Sequence, residues 1–130
     1  MDDDRVWAFE ESLWTGDADH YRESIDPACV MVVPAPPFVL ESEAAVAAVS
    51  DTPRWDAVSF EDGHIVRPQE GLIVVGYKAQ ARREGGDDYV AWCTSTYRRV
   101  EHEVWTVVQH QQTLPPLAGG SADQSTSARS

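Results

Sequence analysis

Cysteine is scarce in this chain. Cys29 and Cys93 are the only two, and neither belongs to a CxxC or zinc-type spacing. That pattern argues against a disulfide framework and for two small buried thiols in a reducing compartment. Positive charge is scarce as well: 10 Lys and Arg stand against 22 Asp and Glu, a formal charge of -12. A chain so acidic is repelled by phosphate backbones and by anionic lipid, so neither a nucleic-acid nor a membrane partner is expected. No apolar run approaches the roughly 20 residues of a membrane helix. Met-Asp-Asp-Asp at the start is the opposite of a basic, apolar signal peptide, and a cytoplasmic protein is the expectation. The four histidines, His20, His64, His102 and His110, form no i, i+4 pair and no HExxH. Neither a metal nor a cofactor is expected.

What remains is an ordinary soluble composition, 42% hydrophobic over 130 residues, enough for one domain with one core. Asp2 to Asp4 open a helix that runs to Thr15 and ends at Gly16. Val6, Trp7, Phe9, Leu13 and Trp14 fill its apolar arc, and Glu10 falls inside that arc. Asp17 caps a second helix, which runs to Ile25 and is stopped by Asp26-Pro27. Residues 28–34 form a short apolar strand closed by prolines, and Phe38 to Leu40 read as a short extension beyond it. A third, alanine-rich helix occupies residues 41–50. Four strands follow, at 55–67 with a bend near Asp62-Gly63, at 72–83, at 89–99 and at 105–113. Short turns between long neighbours predict an antiparallel meander, and helices followed by a meander predict an α+β layout. Residues 1–116 are thus one domain. Residues 117–130, LAGGSADQSTSARS, have little to bury and are expected to be a disordered tail.

Alternation along the meander sorts its faces. Ile73, Val75, Tyr77, Ala79 and Ala81 share one side, and Tyr89, Ala91, Cys93, Ser95 and Tyr97 share one side of the next strand. The opposite side also carries Leu72, Val74 and Trp92, so a second copy of the chain is expected to cover it. The last strand begins as Trp-Thr-Val-Val and ends in Gln109, His110, Gln111, Gln112 and Thr113. If the turn at residues 100–103, VEHE, holds a two-residue loop, His110 and Gln112 face Cys93 and Ser95. One more loop residue swaps in Gln109 and Gln111. Either way polar groups are buried, and each left unpaired costs about 1–3 kcal/mol.

Several pieces then carry a likeness: ExxLWTGD at residues 10–17 with Tyr21, PRW at 53–55, GYKAQARR at 76–83, YVAWCTSTYRR at 89–99 and WTVVQHQQTLP at 105–115. In their order and spacing the chain resembles the SnoaL-like branch of the nuclear transport factor 2-like superfamily, in particular its small bacterial members of unassigned function. The resemblance implies a cone: a curved, mostly antiparallel sheet wrapped around three helices, a pocket at the wide end, and a homodimer joined through the sheets. It does not imply one chemistry, because this fold hosts cyclases, isomerases, dehydratases, hydrolases and non-enzymatic adaptors. Their catalytic patterns do not recur at matching positions here.

The expected pocket residues are Glu10, Trp14, Tyr77, Cys93, Ser95, Tyr97, Gln109, His110 and Gln111, with Glu10 and His110 the candidates for catalysis. Each has an alternative. Glu10 is either an acid–base carboxylate in a dry pocket or a structural one, paired with Arg82 or Arg83 or bonded to backbone. His110 is a proton shuttle or an imidazole hydrogen-bonded in the sheet. Tyr77 and Tyr97 are core aromatics or oxyanion donors, and Cys93 reads as an inert buried thiol. The favoured function is a domain that binds a small hydrophobic molecule in the pocket. The alternative is a cofactor-free lyase or isomerase of polyketide-cyclase or ketosteroid-isomerase type, and a module without any pocket is the residual reading.

Overall fold

Helix α1 (Asp3–Thr15) begins where Asp2 accepts the Arg5 N–H at 2.9 Å, with Asp3 and Asp4 in the first turn. Its buried stripe is Val6, Glu10, Leu13 and Trp14, spaced as one helical face requires. Gly16 ends it by donating its N–H to the Ser12 carbonyl at 2.8 Å. A Cβ on Gly16 would lie 2.6 Å from that oxygen, so close approach requires glycine here. Asp17 caps α2 (Ala18–Ser24) by accepting the His20 N–H. The computed structural model describes residues 1–116; the expected disordered tail, 117–130, lies outside the described residues.

Two local expectations change. Asp26-Pro27, expected to stop the second helix, does follow its end but already belongs to β1 (Ile25–Val32), which starts ahead of the expected residue 28. The ladder there is irregular between Ile25 and Val30, where Pro27 has no N–H to donate. Phe38 to Leu40 do not prolong that strand: the chain reverses, and β2 (Val39–Glu41) pairs antiparallel with β1, Met31 opposite Leu40. Helix α3 (Ser42–Ser50) follows at once. The meander is β3 (Ala57–Gln69), β4 (Leu72–Arg82), β5 (Tyr89–Glu101) and β6 (Val104–Thr113). The six strands run β2-β1-β6-β5-β4-β3, all antiparallel except β1 beside β6. The sheet curls around the helices without closing: the α+β layout read from the element order, in the cone shape that the resemblance implies.

The concave face holds the core. Ile73, Val75, Tyr77, Ala79 and Ala81 of β4 and Ala91, Cys93, Ser95 and Tyr97 of β5 are all buried, packed with Val6, Leu13 and Trp14. Each large apolar side chain buried in this way contributes about 1.5–3 kcal/mol. The bend in β3 is a bulge: the register with β4 shifts between Glu61 and His64, and Asp62 sits at φ 54°. Gly63 follows it because a Cβ would lie 2.7 Å from the Trp7 ring.

The phase of β6 is set by two irregularities that cancel. A two-residue loop, His102–Glu103, joins Glu101 to Val104. Val100 is then extra on β5 and Val108 extra on β6. Beyond both, Ser95 faces His110 and Cys93 faces Gln112, the pairing an uninterrupted two-residue hairpin would give. The convex face carries Val74, Trp92, Thr94, Thr96, Gln109 and Gln111 across its middle, with Lys78 paired to Glu61 beside them. No helix of the described residues is long and apolar enough to cross a membrane.

Candidate functional site

Glu10 is fully buried, and the sheet supplies its partners. Tyr77 from β4 and Ser95 from β5 donate to Oε2, the latter at 2.7 Å, and Tyr97 from β5 donates to Oε1. Neither Arg82 nor Arg83 approaches it. Arg83 instead lies 3.9 Å above the Trp55 ring and donates to the Pro53 carbonyl at 2.6 Å. Three hydroxyl donors thus satisfy a carboxylate that helical periodicity places in an apolar arc. Phe9 and Phe60 pack on Tyr97 and Tyr77, with ring centroids 5.0 and 4.5 Å apart, and hold both phenols in place.

The array continues through His110. Its Nδ1 lies 2.7 Å from Ser95 Oγ and 3.7 Å from Glu10 Oε2, and its Nε2 lies 3.1 Å from the amide nitrogen of Gln112. Gln112 Oε1 accepts from the Tyr89 hydroxyl at 2.7 Å. These contacts fix a direction. The Gln112 amide donates to Nε2, so the imidazole proton sits on Nδ1 and is given to Ser95, whose own proton goes to Glu10. On the other side Trp14 Nε1 donates to the Tyr77 oxygen at 3.1 Å. Burial pushes the His110 pKa down and favours the neutral ring, against the Glu10 charge and the Thr94 backbone, which both favour the charged one. Burial and Glu10 push Tyr77 and Tyr97 up, so both remain donors. They raise the Cys93 thiol to about 12, which leaves it protonated on the inner face.

This hub is separate from the opening of the cone. A cavity of about 410 Å³ lies at the wide end, walled by Leu13, Trp14, Met31, Leu40, Val49 and Trp55, among others. Trp55 stacks on Tyr89 at 5.3 Å and faces Trp14 at 6.5 Å. Trp14, Tyr89 and Gln112 are the members of the hydrogen-bonded array that line the cavity; Glu10, Tyr77, Ser95, Tyr97, His110 and Cys93 lie behind it. Gln109 and Gln111 require correction as pocket residues. With His110 inward they point outward: Gln109 bonds Thr94 and Thr96, and Gln111 borders a shallow depression on the convex face with Trp92 and His64. Among the described residues no group of three or more His, Cys, Asp or Glu is arranged to hold a metal.

Four residues with buried or cavity-lining roles are not among the expected pocket residues. Gln112 follows from strand parity once the turn is known. Tyr89 is on the correct face but sits at a strand start. Arg54 lies in the PRW stretch, yet nothing in that stretch signals that its side chain reaches back to the carbonyls of Leu13 and Gly16. Asp26, read as part of a helix stop, is 1% exposed. It accepts from Arg98 Nε and Nη2 at 2.8 and 2.9 Å, from Thr106 at 2.8 Å and from the Ala28 N–H at 2.9 Å.

No family model matches the chain, and no curated protein is similar to it. Solved structures are. A putative ketosteroid isomerase from Parabacteroides distasonis superposes with a TM-score of 0.73 at 16% identity, over 87% of each chain. A nuclear transport factor 2-like protein from Cytophaga hutchinsonii gives 0.71 at 17% identity, over 88% of this chain and 100% of that one. The association domain of C. elegans CaMKII gives 0.65 at 12% identity, over 85% and 90%. The fold is therefore that of nuclear transport factor 2-like proteins. At these identities the likeness concerns the fold alone.

Proposed function

We propose that this protein binds a small, mainly apolar molecule in the mouth of the cone. The observation that carries this reading is the cavity of about 410 Å³, walled by aliphatic and aromatic side chains with a few polar groups at its inner end. The enclosure of Glu10 supports binding over proton-transfer catalysis. A general base must reach its substrate directly or through one water, and Glu10 has no exposed surface. The hydrogen-bonded routes from the cavity to Glu10 pass through the Gln112 amide or the Trp14 indole, which orient neighbours but do not relay protons. Two copies of the chain pair through the convex face, where Trp92 is 44% exposed among threonines and glutamines. The kinase association domain among its structural neighbours is consistent with that arrangement.

The test uses N-phenyl-1-naphthylamine, a neutral probe that brightens in apolar sites. Wild-type protein is expected to give a saturable rise in emission. Ala48→Trp, placed in the cavity wall, is expected to weaken it at least about tenfold without lowering the thermal midpoint. No saturable binding by wild type would end the binding reading, and turnover of a carbonyl substrate that depends on Glu10 would replace it with the lyase or isomerase one. Sedimentation equilibrium is expected to show a dimer that Trp92→Glu dissociates; a wild-type monomer at high micromolar concentration would remove that part.

A further inference from the structure

We infer that the molecule taken by the mouth is an apolar acid, its carboxylate held by the Arg54 guanidinium and its body lying against the aromatic wall. The inference rests on the binding reading above and concerns the class of ligand. Among the described residues Arg54 is the only charged one that lines the cavity, and no Asp or Glu lines it. Arg5, Arg22, Arg67, Lys78, Arg98 and Arg99 each have a carboxylate within 4.0 Å. Among the described residues Arg54 has none, nor do Arg82 and Arg83, and of these three Arg54 is the one that lines the cavity.

Its geometry suits a receptor better than a cap alone. Nε donates to the Gly16 carbonyl at 2.6 Å, Nη2 donates to the Leu13 carbonyl, and the plane lies 5.5 Å over the Tyr21 ring. Two of the five guanidinium N–H groups are thereby engaged at the end of α1, which locks the fork. The Nη1 edge has no protein acceptor among the described residues, and a fork fixed in this way presents its remaining donors without further loss of rotamer freedom. Arg83, seated on Trp55 next door, adds a second positive charge. Burial pushes the Arg54 pKa down, and Arg83 pushes it the same way, with only Tyr21 opposing. A half-buried cation whose surroundings lack a counter-charge gains from an anion supplied in the ligand.

The test is a matched pair of probes, 4-phenylbutyrate and 4-phenylbutan-1-ol, which share a body and differ in the charged end. Each is titrated at pH 7 by calorimetry and by displacement of N-phenyl-1-naphthylamine. Wild-type protein is expected to bind the acid at least about tenfold tighter than the alcohol. Arg54→Gln is expected to abolish the preference while still binding the alcohol, and Arg54→Lys to keep part of it. In wild type the acid's advantage is also expected to fade below about pH 5, as the probe takes up its own proton. That titration serves if Arg54→Gln fails to fold. Equal binding of acid and alcohol by wild type, or a preference that survives in Arg54→Gln, would overturn the inference. So would displacement by neither probe when the dye itself binds, and the cavity reading would then survive. Failure of the dye as well removes both.

Discussion

The Glu10 hub and the mouth of the cone lie side by side and share Trp14, yet they handle polarity in opposite ways. In the hub every strong hydrogen-bonding group meets a protein partner: one carboxylate, two phenols, a serine and an imidazole close on one another behind the cavity wall. In the mouth polar groups are few and their partners incomplete, with Arg54 keeping an open edge. A closed polar array specifies packing and holds helix to sheet. An open one awaits something from outside. Buried polarity alone therefore does not mark a binding site; whether its bonds are already used decides.

The contrast breaks most sharply at Glu10. Glu10→Ala leaves Tyr77, Tyr97 and Ser95 buried without their acceptor and is expected to cost on the order of 4 kcal/mol in urea unfolding. Glu10→Gln, which keeps one acceptor oxygen, costs less. A functional rather than structural Glu10 would show the reverse, intact stability with lost binding. The next effect is at Asp26, a second closed carboxylate, held below its usual pKa at about 2 chiefly by Arg98. Its contribution is present above about pH 4 and is lost as pH falls through 4 towards 2, since the unfolded chain takes up that proton first. Asp26→Ala is expected to cost on the order of 2 kcal/mol, because Arg98 is half exposed and regains water. The variant's stability should then no longer follow acidification as steeply as wild type. The smallest effect sharpens the boundary between the regions. Gln112→Ala is expected to cost about 1 kcal/mol and to change probe affinity, whereas Gln111→Ala stays within about 0.5 kcal/mol and leaves affinity alone. Equal effects would mean that β6 runs in the other phase.

Much of this layout is legible in the chain. Alternation along β4 and β5 identifies the concave face, Asp17 and Gly16 mark helix limits, and Glu10 stands out as a carboxylate inside an apolar arc. Its partners are not legible. Charge logic favours Arg82 or Arg83, but where α1 crosses the sheet is a tertiary property, and it crosses over Tyr77 and Tyr97. The phase of β6 is hidden for another reason: the extra residues Val100 and Val108 fall on opposite strands and cancel, and neither has a turn residue to announce it. Asp26-Pro27 marks the helix end but conceals the early strand start, because the dipeptide suits a helix stop and an irregular strand alike, and Arg98 is remote in sequence. Arg54 hides among surface-type arginines, since nothing local records that its neighbours lack acids.

The bulge at Asp62-Gly63 has a bearing on how the molecule survives at high concentration. β3 is the long outer margin of the sheet, and a straight margin of 13 residues invites fibrillar stacking. The kink divides it: regular pairing with β4 covers Ala57 to Glu61, resumes for His64 to Val66, and after a second shift returns at Gln69. Runs that brief are poor templates for an incoming strand. The opposite margin, β2, is three residues long. A left-handed Asp62, followed by a Gly63 seated against the Trp7 ring, thus leaves the long margin without one uninterrupted run.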